Sequence, residues 1–115
     1  MTKQGDRAVE HAEQKAGGEG VTRIERLIDG KALGDHCRLF ARVTLEPHSS
    51  IGYHEHHGES ETYYILSGQG RYDDNGVPAA VGPGDVTHTP SGQGHGIANT
   101  GKVPLEFIAL ILADD

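Results

Sequence analysis

The sequence predicts an all-β sandwich or barrel, and three observations carry that prediction. Short runs rich in β-branched and other apolar residues recur every 8–12 positions. Turn residues separate them: Asp29-Gly30, Pro47, Ser67-Gly68, Asp74-Asn75-Gly76, Gly82-Pro83-Gly84 and Pro90-Ser91-Gly92. No convincing helical pattern follows residue 20, and 115 residues suit one domain without repeat or linker.

Residues 1–20 are polar and rich in glycine, and they read as a flexible segment preceding a single domain over 21–115. Within them, Asp6 to Ala16 could form a weak helix, capped by Asp6, with Ala8, Val9, Ala12 and Ala16 on one side. Its apolar face is mostly alanine, so a frayed or partner-docked segment is expected. The first strand runs from Val21 to Ile28. The second, Cys37 to Leu45, sets Leu39, Ala41, Val43 and Leu45 on one parity. Strands follow at Ile51–His56, Glu61–Leu66 and Gly70–Asp73. Asn75-Gly76 is a strong hairpin signal leading into Val77–Val81. Asp85–Thr89, His95–Asn99 and a long buried strand, Leu105–Leu112, complete the set.

Composition removes several function classes. Ten Lys and Arg against 17 Asp and Glu give −7, which argues against a nucleic-acid partner. The longest apolar run, Phe107 to Ala113, is far too short for a membrane-spanning helix. No N-terminal stretch pairs a basic start with an apolar run, and a single cysteine, Cys37, makes no internal disulfide. A cytoplasmic protein is the expectation. Cys37 itself reads as a small buried hydrophobe, since no base or helix start activates it.

The excess of histidine, eight in a chain without tryptophan, directs attention to residues 48–95. His54 and His56 are two apart on a strand, so their imidazoles share a face. A hairpin after His57-Gly58 would return Glu61 beside them, and His95 follows a stiff Pro-Gly turn. Imidazole nitrogens and a carboxylate converging on one point suit a first-row divalent metal, with positions left for water or substrate. Glu59 shares the parity of Glu61 and competes for the carboxylate role. His57 has the wrong parity and reads as a rim residue, while His48 lies in a solvent-facing loop. His88 could face the cavity as a proton carrier or simply cap the sheet. Tyr63, on the parity of Glu61, is the tyrosine most suited to line the interior, as a cavity hydroxyl or as a packed core ring. An inward arginine could hold a substrate carboxylate, but the sequence does not say whether Arg38, Arg42 or Arg71 points in.

These residues resemble the two motifs of the cupins. His54-x-His56, four residues, Glu61, six residues, Gly68 resembles the first; Gly84, Pro90, Gly92, His95 and Asn99 match the second. The resemblance covers residues 37–112. His48 stands where the full first motif has a glycine, which puts loop shape in question rather than the ligands. The resemblance implies a double-stranded β-helix barrel, a jelly-roll relative, with a metal held by His54, His56, Glu61 and His95. The six-residue distance to Gly68 favours Glu61 over Glu59. Gly68, Gly84 and Gly92 are expected at bends, and Asn99 as a backbone-bonding turn residue. Small manganese cupins related to oxalate decarboxylases are the most similar subgroup; iron, nickel, zinc or cobalt also suit the donor set. The implied function is a metalloprotein acting on a small, anionic, oxygen-rich metabolite such as a dicarboxylate, by decarboxylase, oxygenase or lyase chemistry. A non-catalytic ligand-binding cupin and a sugar or sugar-phosphate isomerase are the alternatives. A homodimer is also expected, because Thr22–Ile28 exceeds what a minimal barrel needs.

Overall fold

A computed structural model describes residues 1–114; Asp115, the last residue of the expected domain, lies outside the described residues. The ten strands are β1 (Val9–Glu13), β2 (Val21–Arg26), β3 (Cys37–Leu45), β4 (Ser50–Glu55), β5 (Glu59–Ser67), β6 (Gly70–Asp74), β7 (Val77–Val81), β8 (Val86–Thr89), β9 (Gly94–Asn99) and β10 (Leu105–Ala113). Six of them form one antiparallel sheet in the order β1-β2-β3-β10-β5-β8, and four form a second in the order β4-β9-β6-β7. This is the all-β, jelly-roll-like barrel that the strand spacing and the motifs imply.

The core lies between the sheets. The predicted parity of β3 holds: Ala41, Val43 and Leu45 are buried and Leu39 packs against them. They meet Leu105, Phe107 and Ala109 of β10, Ile65 of β5, and Ile51, Tyr72, Val81 and Ile97 from the four-stranded sheet. Asn99 bonds backbone, as expected: its Nδ2 donates to the carbonyls of Leu45 and Val103, at 2.8 and 2.9 Å. Gly68 and Gly92 have φ of 90° and 88°, the left-handed bends that the motifs ask of them. His48, in the position of the missing glycine, adopts φ 71°. This left-handed conformation carries the steric cost that a Cβ meets in this region.

The N-terminal segment departs from expectation. Val9–Glu13 is strand, not helix, and pairs with β2 from Val9↔Glu25 to Glu13↔Val21. An alanine face had too little apolar area to fix a helix, whereas the open edge of β2 offers a full ladder of backbone bonds. A 3-10 turn at Lys15–Gly17 then crosses β4. The approach is so close that a Cβ on Gly52 would sit 2.0 Å from the carbonyl oxygen of Ala16. Ser50 N–H donates to the Glu19 carbonyl at 2.8 Å, and Glu19 N–H to Ser50 Oγ at 2.9 Å. These bonds tie residues 14–20 to the barrel wall.

Candidate metal centre

Three strands and both sheets deliver the site. His54 of β4 and His95 of β9 are register partners in the four-stranded sheet. His56 follows β4 and is held by the turn before β9: its N–H donates to Gln93 O at 3.1 Å and its carbonyl accepts from Gly92 N at 2.7 Å. Glu61 comes from β5 in the other sheet. The expected hairpin is therefore not how Glu61 arrives: β4 and β5 do not pair, and the chain turns through Gly58, φ 75°, to cross between sheets. The carboxylate reaches the histidines across the barrel interior.

The four donor atoms converge, all within 4.8 Å of one another. Glu61 Oε1 lies 3.0 Å from His56 Nε2 and 2.9 Å from His95 Nε2. His95 Nε2 lies 3.1 Å from His56 Nε2 and 3.2 Å from His54 Nε2. The His54–Glu61 pair is wider, at 4.0 Å. Donors about 2.1–2.2 Å from a shared centre stand about 3.0 Å apart when adjacent in an octahedron and about 4.3 Å apart when opposite. In a tetrahedron every pair is about 3.5 Å apart. Separations of 2.9 to 4.0 Å among these atoms fall in the range spanned by the two shells, close enough for the four donors to share one cation.

Each imidazole is also aimed by its other nitrogen. His54 Nδ1 donates to the Gly52 carbonyl at 2.8 Å, and His56 Nδ1 to Glu59 Oε2 at 2.7 Å. His95 Nδ1 bonds the Tyr72 hydroxyl at 2.8 Å, which also bonds Thr89 Oγ1. Two of these partners accept only, so His54 and His56 carry a proton on Nδ1, and in their neutral form the Nε2 lone pairs face inward. Three imidazole nitrogens and a carboxylate oxygen converging in this way fit a divalent metal. Burial, reinforced by His95 and His56 nearby, lowers the His54 pKa and favours the neutral form that a metal requires. Burial opposes ionisation of Glu59, yet hydrogen bonds from Arg38 and His56 together hold its carboxyl below the ordinary range.

Beside the donors opens a cavity of about 210 Å³, lined on its apolar side by Ile24, Leu39, Val43, Ile51, Ala109 and Ile111. Tyr63 lines it too, buried, with its ring stacked on His95 at a centroid distance of 4.9 Å. Burial, then the charge of Glu61, pushes its hydroxyl well above the ordinary tyrosine value. His88, the other pocket candidate, does not line the cavity. It is paired with Thr62, on the face opposite Glu61, and is exposed with its ring bonded to Thr62 Oγ1 at 2.9 Å. One residue of register decides this, because successive strand residues face opposite sides. His57 is exposed and His48 sits in its loop. Glu59 is not among the four converging donors but orients one, a role its parity alone did not distinguish.

None of the three weighed arginines lines this cavity. Arg38 pairs with Glu59 and Arg42 with Glu106, while Arg71 is exposed on β6. The arginine that does line it is Arg26, at the end of β2, with Lys15 and Glu10 beside it at the mouth. Its inward parity with Ile24 was readable; its place relative to the histidines was not.

A cupin-domain family model matches residues 41–111, which span the site and most of the barrel. The chain is a cupin. It is 47% identical over 96 residues to an oxalate-binding protein of Thermotoga maritima, covering 84% of this chain and 79% of that one. A crystal structure described as a predicted oxalate decarboxylase, also from Thermotoga maritima, superposes with a TM-score of 0.93 at 41% identity over 98% of both chains. A more distant match, 30% identical over 67 residues, is the mannose-1-phosphate guanylyltransferase ManC of Salmonella typhimurium. It covers 58% of this cupin but 14% of that enzyme, so what is shared is a barrel module.

Proposed function

We propose that this cupin holds a divalent metal, manganese foremost, on His54, His56, Glu61 and His95, and through it binds a small dicarboxylate such as oxalate. The observation that carries the reading is the inward convergence of three imidazole Nε2 atoms and one carboxylate oxygen, with every Nδ1 already engaged. Four protein donors on one metal would leave room in its coordination shell for oxygens of a small ligand. The metal would supply a Lewis-acidic centre that attracts and polarises a carboxylate. Manganese suits a mixed imidazole and carboxylate site that keeps positions for oxygen ligands. A cavity of about 210 Å³ is below the ~300–1,000 Å³ of pockets for drug-sized molecules, so the ligand has few atoms. Similarity to an oxalate-binding protein supports the same class.

The Tyr63 hydroxyl, held protonated at neutral pH, is hydrogen-bonded to Glu61 and so steadies that carboxylate beside the other donors. Similarity to an oxalate-binding protein favours binding ahead of decarboxylase, oxygenase or lyase chemistry. Calorimetry with oxalate on metal-loaded and metal-stripped protein tests the reading. Binding to the loaded form alone is expected, and equal affinity in both forms would overturn it. Release of carbon dioxide by the manganese-loaded protein would instead favour the metalloenzyme.

A further inference from the structure

The cavity has a second polar wall, built by the N-terminal strands and unrelated to the metal motifs. Cross-strand register shows how it is made. Arg26 pairs with Ala41, Ala41 with Ala109, and Ala109 with Tyr63, so these four residues form one rung across β2, β3, β10 and β5. Residues on one rung project to the same face. Arg26 and Tyr63 stand three strands apart, about 14 Å at the usual ~4.8 Å spacing, with only two methyl side chains between. The neighbouring rungs carry Ile24, Val43, Phe107 and Ile65 on one side, and Leu39, Ile111 and Glu61 on the other. The alanines thus leave a trough, walled by apolar side chains, with Arg26 at one end and Tyr63 and the donor cluster at the other.

We infer that Arg26 is the ligand's second anchor and makes the site selective for dianions over monoanions. The inference rests on the metal-anchored reading above. A small monocarboxylate spends its one charged group at the metal end and leaves nothing for Arg26. A dicarboxylate presents further oxygens along the trough, and the planar guanidinium matches a carboxylate edge with two parallel donors. Across the mouth, Arg26 faces Glu10 of β1 at 3.7 Å, and both side chains are substantially exposed. An exposed pair of this kind is weak and readily exchanged. Glu10 is a carboxylate standing where the ligand's carboxylate would stand, so ligand entry swaps one partner of Arg26 for another. Lys15 at the same mouth adds positive charge locally to a chain of net −7.

Calorimetry with acetate, oxalate and malonate on the manganese-loaded chain tests this. Arg26→Gln is expected to weaken oxalate and malonate about tenfold or more, to change acetate by less than about twofold, and to leave metal loading intact. Glu10→Gln is expected to tighten the two dianions by a few-fold, because it removes their competitor. That gain has no counterpart in a structural role for the pair, and it tests the inference even if Arg26→Gln folds poorly. Equal losses for acetate and oxalate in Arg26→Gln, or weaker dianion binding in Glu10→Gln, would overturn the inference. If the wild type binds dianions and neither variant alters them, the inference fails while the metal-anchored reading stands. If the loaded wild type binds none of the three anions, both fail.

Discussion

The two ends of the cavity are held in opposite ways. At the metal end His56, Glu61 and His95 are buried and His54 is half-buried, and each imidazole is fixed by a partner on its far nitrogen: Gly52, Glu59 or Tyr72. At the mouth, the Arg26 and Glu10 side chains meet at 3.7 Å, both partly exposed, with no other side-chain bond to either among the described residues. A metal site requires the first arrangement, because donors tenths of an ångström out of place forfeit affinity. A ligand entrance benefits from the second, since its charges must change partners. Rigidity is placed where the donor set must not move, and looseness where exchange occurs.

The largest break in this contrast is removal of a donor. His56→Ala is expected to abolish stoichiometric metal loading, measured by elemental analysis after dialysis, while His57→Ala retains it. Acidification reaches the same end by titration. The His54 pKa lies below its ordinary 6.5 in the fold, so the unfolded chain takes up that proton first. Its contribution to stability is full above about 6.5 and falls as pH drops through the lowered value. Metal is expected to leave over the same acid range, because Nε2 cannot hold a proton and a metal together. Loading unchanged down to pH 4 would contradict the imidazole assignment.

Smaller effects sharpen the comparison. Glu59→Gln and Tyr72→Phe remove orienting bonds without removing donors, and each is expected to cost about 10–100-fold in metal affinity by competition with a chelator. Glu61→Gln is expected to cost more than Glu59→Gln; the reverse order would move the carboxylate role to Glu59. Away from the site, His48→Gly relieves a left-handed backbone carrying a Cβ and is expected to stabilise by about 1 kcal/mol, read as a melting point a few degrees higher. At the mouth, Glu10→Gln is expected to shift stability by less than about 0.5 kcal/mol. A loss of several kcal/mol there would mean that the pair is structural and the contrast between the two ends is false.

What the sequence determined by itself is local. Strand positions from Val21 onward, the inward parity of Leu39, Ala41, Val43 and Leu45, and the shared face of His54 and His56 follow from a two-residue period and turn chemistry within a few positions. The motif spacing also selected Glu61 and His95 as the residues that join them. What the tertiary structure decided is how distant strands align. Glu61 reaches the histidines from the opposite sheet, His88 falls on the outer face, and residues 9–13 become an edge strand although their own pattern suits a weak helix. Arg26 enters the cavity because its rung crosses two alanines, Ala41 and Ala109, lying 15 and 83 positions further along the chain. Periodicity within a strand is a property of neighbouring residues. Register between strands is set by the packing of the whole core, and no single segment of the sequence contains it.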